Sequence, residues 1–347
     1  MMATPSLDRA AREVLAWFPF LSSGVDLIRL GNAGGFTGAR FWRVEGTSLP
    51  LCLRAWPSDG PSPERLAGIH RCMYQARISG LDFVPEVLTT TSRSTWVEHL
   101  GKLWELTSWM PGQAGFGRPI SPSRFQTAFA ALAQVHLAWA RGNQEVGECP
   151  AVRRRLHCAR EWIDLLEAGW RLPAAAAEDR SLHPWAERAW DALRRRVREV
   201  PRRLGPWLGR PLTLQPCLCD VREEHLLFDG ERLSGLVDYG SVKRDHVAAD
   251  LARLLGSAAG YDPDLRALGL RTYRALRPLS LEEETLVGVL DETGTLLGAA
   301  NWLTWVYREK RVYEDRAAVV RRLAELVERL ERWERSITKE KTRISEE

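Results

Sequence analysis

The stretch that decides the fold is LTLQPCLCDVREEHLLFDGERLSGLVDYGSVKRDHVAADLARLL, residues 212–255. It holds two apolar runs, 225–228 and 231–237, on either side of Asp229-Gly230. Asp-Gly between apolar runs predicts a hairpin, because this kind of tight turn needs a positive φ. Asp220 precedes the first run and Asp238 ends the second, so a hairpin would bring the two carboxylates toward each other.

Two acids at neighbouring strand ends indicate a specific chemistry. With His225 five residues after Asp220, the acids predict a cradle for a hydrated divalent cation. The same arrangement is typical of a phosphoryl-transfer centre. There, one Asp receives the proton of the acceptor hydroxyl and a second Asp holds magnesium.

Composition narrows the class of protein. The chain has 347 residues, 45% of them hydrophobic and 27% charged, as in a globular protein that folds in water. Its net charge of +4 is mild, and we interpret the basic runs 153–155 and 194–196 as solvated helix faces rather than a nucleic-acid surface. The six cysteines fit neither a zinc framework nor a secreted scaffold. The most apolar run, 286–306, contains two acids and therefore predicts a buried helix, not a membrane span. We expect a cytoplasmic protein.

Residues 212–255 resemble the catalytic core of the aminoglycoside phosphotransferase and choline kinase-like family, which has the protein-kinase-like fold. The family pattern is His-Gly-Asp, four residues, Asn, an apolar strand, a turn, a second strand, Asp-aromatic-Gly, and later Asp-Leu-Ala. The chain matches this pattern at Asp220, 226–228, Gly235, 238–240 and 250–252. It departs from the pattern twice: Leu218-Cys219 replaces His-Gly, and His225 replaces Asn.

The resemblance implies an α+β, bilobed protein-kinase-like fold. Residues 1–110 would form a small strand-rich lobe that binds nucleotide, and residues 111–337 a larger helical lobe that carries the catalytic residues and binds the acceptor. Residues 338–347 are charged and poor in apolar side chains, so we expect a disordered tail.

The resemblance also assigns roles in the catalytic stretch. Asp220 would orient and deprotonate the acceptor group, Asp238 would hold Mg²⁺, and Asp250 would bond the backbone of the catalytic loop. His225 stands where a second metal ligand is expected. Since Mg²⁺ prefers oxygen, His225 could bind through water, accept Mn²⁺ instead, or hydrogen-bond Asp220.

The N-terminal assignments follow the order of the family's parts. The loop with Gly31, Gly34, Gly35 and Gly38 would approach the phosphates of the nucleotide, because glycine leaves the backbone N–H groups accessible. Arg54 would be the strand cation that grips phosphates. An ordinary strand-end charge is the alternative.

Two acids complete the predicted nucleotide site. Glu64, in the first turn of the helix that Ser62-Pro63 opens, is the candidate partner of Arg54, although it could only complement the helix dipole. Glu105 begins a segment that resembles the family's hinge, where backbone groups meet the adenine edge.

The predicted function is therefore the transfer of the γ-phosphate of ATP, with Mg²⁺ or Mn²⁺, to a hydroxyl or amine of a small molecule. The alternative is a catalytically impaired, pseudokinase-like protein that binds nucleotide or acts as a scaffold. The expected partners are a nucleotide and a small-molecule acceptor, without nucleic acid or membrane. The sequence does not identify the acceptor.

Overall fold

The computed structural model describes residues 6–19, 21, 24–32, 36, 38–174, 180–260 and 262–346. The chain divides into two compact units, and each contains segments from both halves of the sequence. The first unit comprises Met1–Trp139 with Glu223–Val242, and the second comprises Ala140–Arg222 with Lys243–Glu347.

The first unit contains a five-stranded antiparallel sheet. Its order is β1 (Asp26–Gly31), β2 (Arg40–Glu45), β3 (Leu51–Ala55), β5 (Lys102–Ser108) and β4 (Val97–His99). Helix α1 (Leu7–Leu15) contributes Ala10 and Val14 to the core of this sheet, where the Trp42 and Trp104 rings stack 5.4 Å apart. The sheet fixes the register that sets Arg54 of β3 opposite Glu105 of β5.

The hairpin around Asp229-Gly230 also belongs to the first unit. Strand β9 (Leu226–Asp229) pairs antiparallel with β10 (Arg232–Leu236), and Gly230 in the turn has φ +58°. A short strand, β6 (Gln113–Ala114), adds to the other edge of β9. The predicted Asp-Gly hairpin is therefore confirmed.

Two helices of the first unit begin as the sequence predicted. Helix α2 (Pro63–Ile78) begins after Ser62, whose side chain accepts a hydrogen bond from the Arg65 backbone N–H. Helix α3 (Pro122–Ala140) buries aromatic residues at helical spacing, and its last residue falls in the second unit.

The second unit is mostly helical. Its small sheet has the order β11 (Lys243–Asp245), β8 (Leu212–Cys217) and β7 (Glu145–Gly147). Its helices are α4 (Pro150–Glu167), α5 (His183–Arg196), α6 (Glu199–Leu204), α7 (Ala248–Ala258), α8 (Pro263–Leu276), α9 (Leu281–Leu303) and α10 (Arg316–Glu346). Helix α9 is the centre of this unit because it packs against α4, α5, α6, α7 and α10.

The predicted α+β class, with strands first and helices after, is confirmed. The apolar run 286–306 lies in the buried helix α9 as far as Leu303, where that helix ends. The compact units have other bounds than a division at residue 110, because α3 and the hairpin group with the strand-rich unit. The structure continues α10 to Glu346, where the composition predicted disorder. Residues 338–346 contain neither Gly nor Pro to end the helix. Within the described ranges, every helix is too short or too polar to cross a bilayer.

Candidate active site

A buried carboxylate holds the loop that carries Asp220 through hydrogen bonds to the loop backbone. Asp250, in the first turn of α7, is fully buried and accepts hydrogen bonds from the backbone N–H groups of Leu218 (2.7 Å) and Cys219 (2.6 Å). This is the bracing role predicted for Asp250. Cys219 has φ +62°, a left-handed conformation that suits glycine, and glycine is the residue of the family pattern at this position. The loop therefore keeps the glycine geometry without glycine.

Asp220 itself is oriented by two arginines. Arg253 donates to its Oδ1 from Nε (3.0 Å) and Nη2 (2.6 Å), and Arg222 donates to its Oδ2 from Nη2 (3.0 Å). Both carboxylate oxygens are thus engaged, which fixes the plane of the carboxylate. The sequence did not reveal these partners, although Arg253 follows Asp250 by one helical turn.

Asp220 lies in the wall of a cavity of about 370 Å³ within the second unit. The wall is formed by α4, the Asp220 loop, β11, α7, α9 and α10. Its charged residues are Arg154, Arg155, Lys243, Arg253, Arg329, Asp220 and Asp291. Five cations and two carboxylates give this wall a surplus of positive charge.

In the first unit, Arg54 is at the centre of a separate cluster. Its guanidinium lies 3.8 Å from Glu105 Oε1 and 3.6 Å from Asp238 Oδ1, measured from Nη1 and Nη2. The Trp56 ring stacks against it, with its centroid 3.5 Å from Cζ. Arg54 is buried, so its charge acts in a medium of low polarity and the surrounding acids matter for its placement.

Glu105 is the buried acid that compensates the positive charge of Arg54. It is buried, and His70 Nε2 lies 2.6 Å from its Oε2, while His70 Nδ1 lies 2.8 Å from Thr95 Oγ1. Burial raises the pKa of Glu105, but the hydrogen bond to His70 and the charges of His70 and Arg54 outweigh burial and leave the pKa below its usual range.

The prediction for Glu64 needs correction. Glu64 is exposed in the first turn of α2, where its own backbone N–H and Ser62 lower its pKa; the ion-pair partners of Arg54 are Glu105 and Asp238. Glu105 lies within β5, and the hinge at the segment that begins with it stays a prediction. The position on α2 that faces Arg54's partner is occupied by His70, so the helix contributes an imidazole and the strand contributes the acid.

Asp238 and His225 lie together at the ends of the hairpin. Asp238 has φ +64° and ψ +71°, a conformation that Asp tolerates better than most side chains. His225 Nε2 is 3.8 Å from Asp238 Oδ2, and the Asp238 side chain is 40% exposed. A half-exposed carboxylate fits a magnesium site, whereas an imidazole suits manganese better than magnesium.

The glycine loop is described only at its ends. Gly31 ends β1 with φ +65° and Gly38 has φ +77°, both in the left-handed region. Gly34 and Gly35 lie outside the described residues. Arg54, Glu105, Asp238, His225 and both described glycines belong to the first unit, and Asp220 belongs to the second.

Comparisons with known proteins agree with the motifs. The sequence model of the phosphotransferase enzyme family matches residues 30–282. A search of curated protein sequences found no match.

Several solved structures are similar in fold. An aminoglycoside phosphotransferase from Alicyclobacillus acidocaldarius is 15% identical, with a TM-score of 0.57 and coverage of 98% of this chain and 97% of that one. A spectinomycin phosphotransferase in complex with ADP and spectinomycin is 10% identical, with a TM-score of 0.66 and coverage of 93% and 97%. An amicoumacin kinase in complex with AMP-PNP and Ca²⁺ is 10% identical, with a TM-score of 0.62 and coverage of 92% and 93%. Since the family model spans well over half of the sequence, this chain belongs to the phosphotransferase enzyme family, which confirms the resemblance found in its motifs.

Proposed function

We propose that this protein transfers the γ-phosphoryl group of ATP to a hydroxyl, or an amine, of a small molecule. Family membership and the similarity to small-molecule kinases support this activity. The observation that carries the proposal is the placement of Asp220. This carboxylate has a fixed orientation and faces a cavity large enough for a small acceptor.

Asp220 would accept the proton of the acceptor group and align it for attack. Phosphoryl transfer depends mainly on positioning and on charge stabilisation, so a carboxylate of fixed orientation suits this role. Asp250 supports it through the two backbone N–H groups that it binds. A shift of the loop would displace Asp220, and therefore Asp250 is a positioning residue.

The first unit would bind the nucleotide. Arg54 would contact phosphate oxygens, since guanidinium groups match them in charge and geometry. The loop between Gly31 and Gly38 would place backbone N–H groups against the phosphates. Glu105 and His70 would hold Arg54 in place.

A divalent metal ion is part of this proposal. Asp238 would hold it and His225 would stand beside it, and the bound ion would neutralise charge on the transferred phosphate. The carboxylate fits Mg²⁺, and the imidazole favours Mn²⁺ or contact through water. Relatives in this fold have been crystallised with ADP, or with AMP-PNP and Ca²⁺, which supports a nucleotide and a divalent ion.

A second candidate is a pseudokinase-like protein that binds nucleotide without turnover. One observation favours it. Arg222 and Arg253 already donate to both carboxylate oxygens of Asp220, so an acceptor hydroxyl would have to compete with these contacts. The family pattern has Asn where this chain has His225, and the loss of that amide oxygen as a metal ligand also favours this candidate.

The test is ADP release by the purified full chain with Mg²⁺ and with Mn²⁺, against a panel of alcohols and amines. Acceptor-dependent release that disappears in Asp220→Ala establishes the phosphotransferase. Nucleotide binding without release for any acceptor supports the second candidate. Asp238→Ala should abolish the metal-dependent thermal shift under both candidates, and a shift that survives would contradict the role of Asp238.

A further inference from the structure

We propose that the acceptor is an anionic alcohol, a small hydroxy compound that carries a carboxylate or a phosphate. This inference rests on the proposed function and names the substrate class of the cavity that contains Asp220. The cavity, of about 370 Å³, has three more cationic than carboxylate side chains in its wall. A cationic acceptor such as an aminoglycoside would meet repulsion there.

The carboxylates of the wall already have cationic partners. Asp291 binds Arg266 (2.7 Å) and also Arg329, and Asp220 binds Arg253 and Arg222. Neither acid therefore offers a free site for a positively charged substrate. The surplus charge remains on other residues of the wall.

Asp245 lies outside the cavity wall and is equally saturated. Its Oδ1 accepts from the backbone N–H groups of Ala151 (3.1 Å) and His246 (2.9 Å), and Arg154 donates to its Oδ2 (2.6 Å). Asp245 is completely buried. It thus pairs with Arg154, whereas it acts on the neighbouring arginine of α4 only through its charge, without a hydrogen bond or an ion pair.

Arg155 is that neighbour, and it is the residue that we expect to bind an anion. Its Nη1 is buried and has no hydrogen-bond partner, and no carboxylate among the described residues lies within ion-pair distance of Arg155. Burial lowers the pKa of Arg155 to about 10, so the side chain is still cationic at neutral pH. A buried guanidinium donor without a partner is costly, and a ligand anion would supply the missing acceptor.

Glycine makes room for this arginine. A Cβ on Gly294 of α9 would lie 2.9 Å from Arg155 Nη2, and a Cβ on Gly256 of α7 would collide with the Arg329 guanidinium. Both helices thus omit a side chain where a cavity arginine lies. Lys243 adds an exposed ammonium to the same wall, and no described carboxylate pairs with it. Arg155 and Lys243 are therefore the two cations left to bind an acceptor anion.

The test uses matched acceptors in the ADP-release assay with the full chain: glycerate against glycerol, gluconate against sorbitol, and 1-amino-2-propanol and spectinomycin as cations. We expect kcat/KM at least 10-fold higher for an acid than for its neutral counterpart. Arg155→Met should raise KM for the acids ~10- to 100-fold, the effect of one charge-assisted hydrogen bond, and change KM for neutral alcohols little. Preference for the neutral or cationic acceptors would overturn the inference.

Two further variants protect the test against misfolding. Lys243→Met alters an exposed residue and should also raise KM for the acids. Arg153→Met is the matched control, since Arg153 lies two residues from Arg155 on α4 but is 64% exposed and pairs with Glu148. Equal effects of Arg153→Met and Arg155→Met would contradict a specific anion site.

A binding experiment separates this inference from the proposed function. Thermal shifts with glycerate and gluconate, without ATP, should exceed those with glycerol and sorbitol and should be lost in Arg155→Met. If the shifts behave so while no acceptor is phosphorylated, the anion site stands and the phosphotransferase proposal fails. If amino alcohols are phosphorylated and the acids neither bind nor react, the function stands and the anion site fails.

Discussion

The buried acid Glu105 offers the sharpest test of the cluster around Arg54. In Glu105→Gln the volume of the side chain and one acceptor oxygen are retained, but the charge is lost. His70 could still donate to the amide oxygen. Arg54, which is buried, would keep Asp238 at 3.6 Å as its remaining carboxylate partner.

The expected cost follows from burial. Breaking a buried ion pair on one side costs ~3–5 kcal/mol, because a charge is left without compensation. Since Gln conserves the His70 contact and Asp238 still faces Arg54, we expect ~3–4 kcal/mol of lost unfolding free energy, the lower part of that range. The Kd for ATP should rise as well, because Arg54 loses the contact that fixes its position.

Glu13→Gln is the matched control. Glu13 also pairs with a histidine, His99, at 2.8 Å, but its side chain is 40% exposed. An exposed pair of this kind contributes little to stability, because water screens its charges. The assay is urea unfolding, together with hydrogen exchange of the β3 and β5 amides, which reports local opening of the sheet. Equal losses for the two variants would refute the assignment of Glu105 as the compensating buried charge.

The pH dependence gives a second readout with a definite sign. The pKa of Glu105 is lowered in the folded protein, so its stabilising effect is complete above the unfolded pKa of ~4.3 and is lost as pH falls through the folded value. The difference between the wild type and Glu105→Gln should therefore be largest at neutral pH and shrink below about pH 4. A difference that grows on acidification would contradict this reasoning.

Three further perturbations test the loop that carries Asp220 and an ion pair elsewhere in the second unit. Asp250→Ala should cost ~2–5 kcal/mol and speed exchange of the Leu218 and Cys219 amides, because two buried N–H groups lose their acceptor; unchanged exchange would argue against the brace. Cys219→Gly should retain stability and Cys219→Val should lose ~1–2 kcal/mol in urea unfolding, since a β-branched residue is strained at φ +62°. Burial raises the pKa of Glu283, but the hydrogen bonds of His246 and Ser280 and the charge of Arg277 lower it to about 2. Acidification from pH 4.5 to 2 should therefore remove at most ~3 kcal/mol of the wild type's unfolding free energy. Glu283→Gln, which has no carboxylate to protonate, should not show this loss.

Local features of the fold were predictable from the sequence. The Asp229-Gly230 turn and the start of α2 after Ser62 depend on residues near in sequence. Local chemistry determines them, because a positive φ or a helix cap has few solutions. The bracing role of Asp250, which contacts Leu218 across 32 residues, followed from the family resemblance instead. The predicted order of strands and helices followed from the same signals.

The partner of Arg54 was not predictable in this way. Glu105 lies 51 residues further along, and it meets Arg54 because β3 pairs with β5 while β4 takes the outer edge of the sheet. Strand order of this kind depends on long-range packing rather than on local pattern. The helix was expected to supply the acid, and in the structure it supplies His70 while the strand supplies the acid.

The arginines of the cavity show a related limit. The run 153–155 was interpreted as a solvated face, and Arg153 and Arg154 are indeed exposed. Successive residues of a helix point about 100° apart, so three in a row do not share one side. Arg154 and Arg155 both line the cavity, but Arg154 is exposed and pairs with Asp245, whereas Arg155 is partly buried and has no ion pair among the described residues; a sequence pattern of charge alone does not distinguish them.

Arg253 connects the two inferences about the second unit. It lies in the cavity wall and also binds Asp220, so the residue that orients Asp220 is part of the surface that would attract an anionic acceptor. In a loose phosphoryl-transfer transition state the acceptor proton need not leave early, and positioning contributes more than basicity. An acceptor anion drawn to the cationic wall would bring its hydroxyl to the oriented carboxylate. The contact between Arg253 and Asp220 would therefore serve positioning, because it orients the carboxylate that the acceptor hydroxyl would meet.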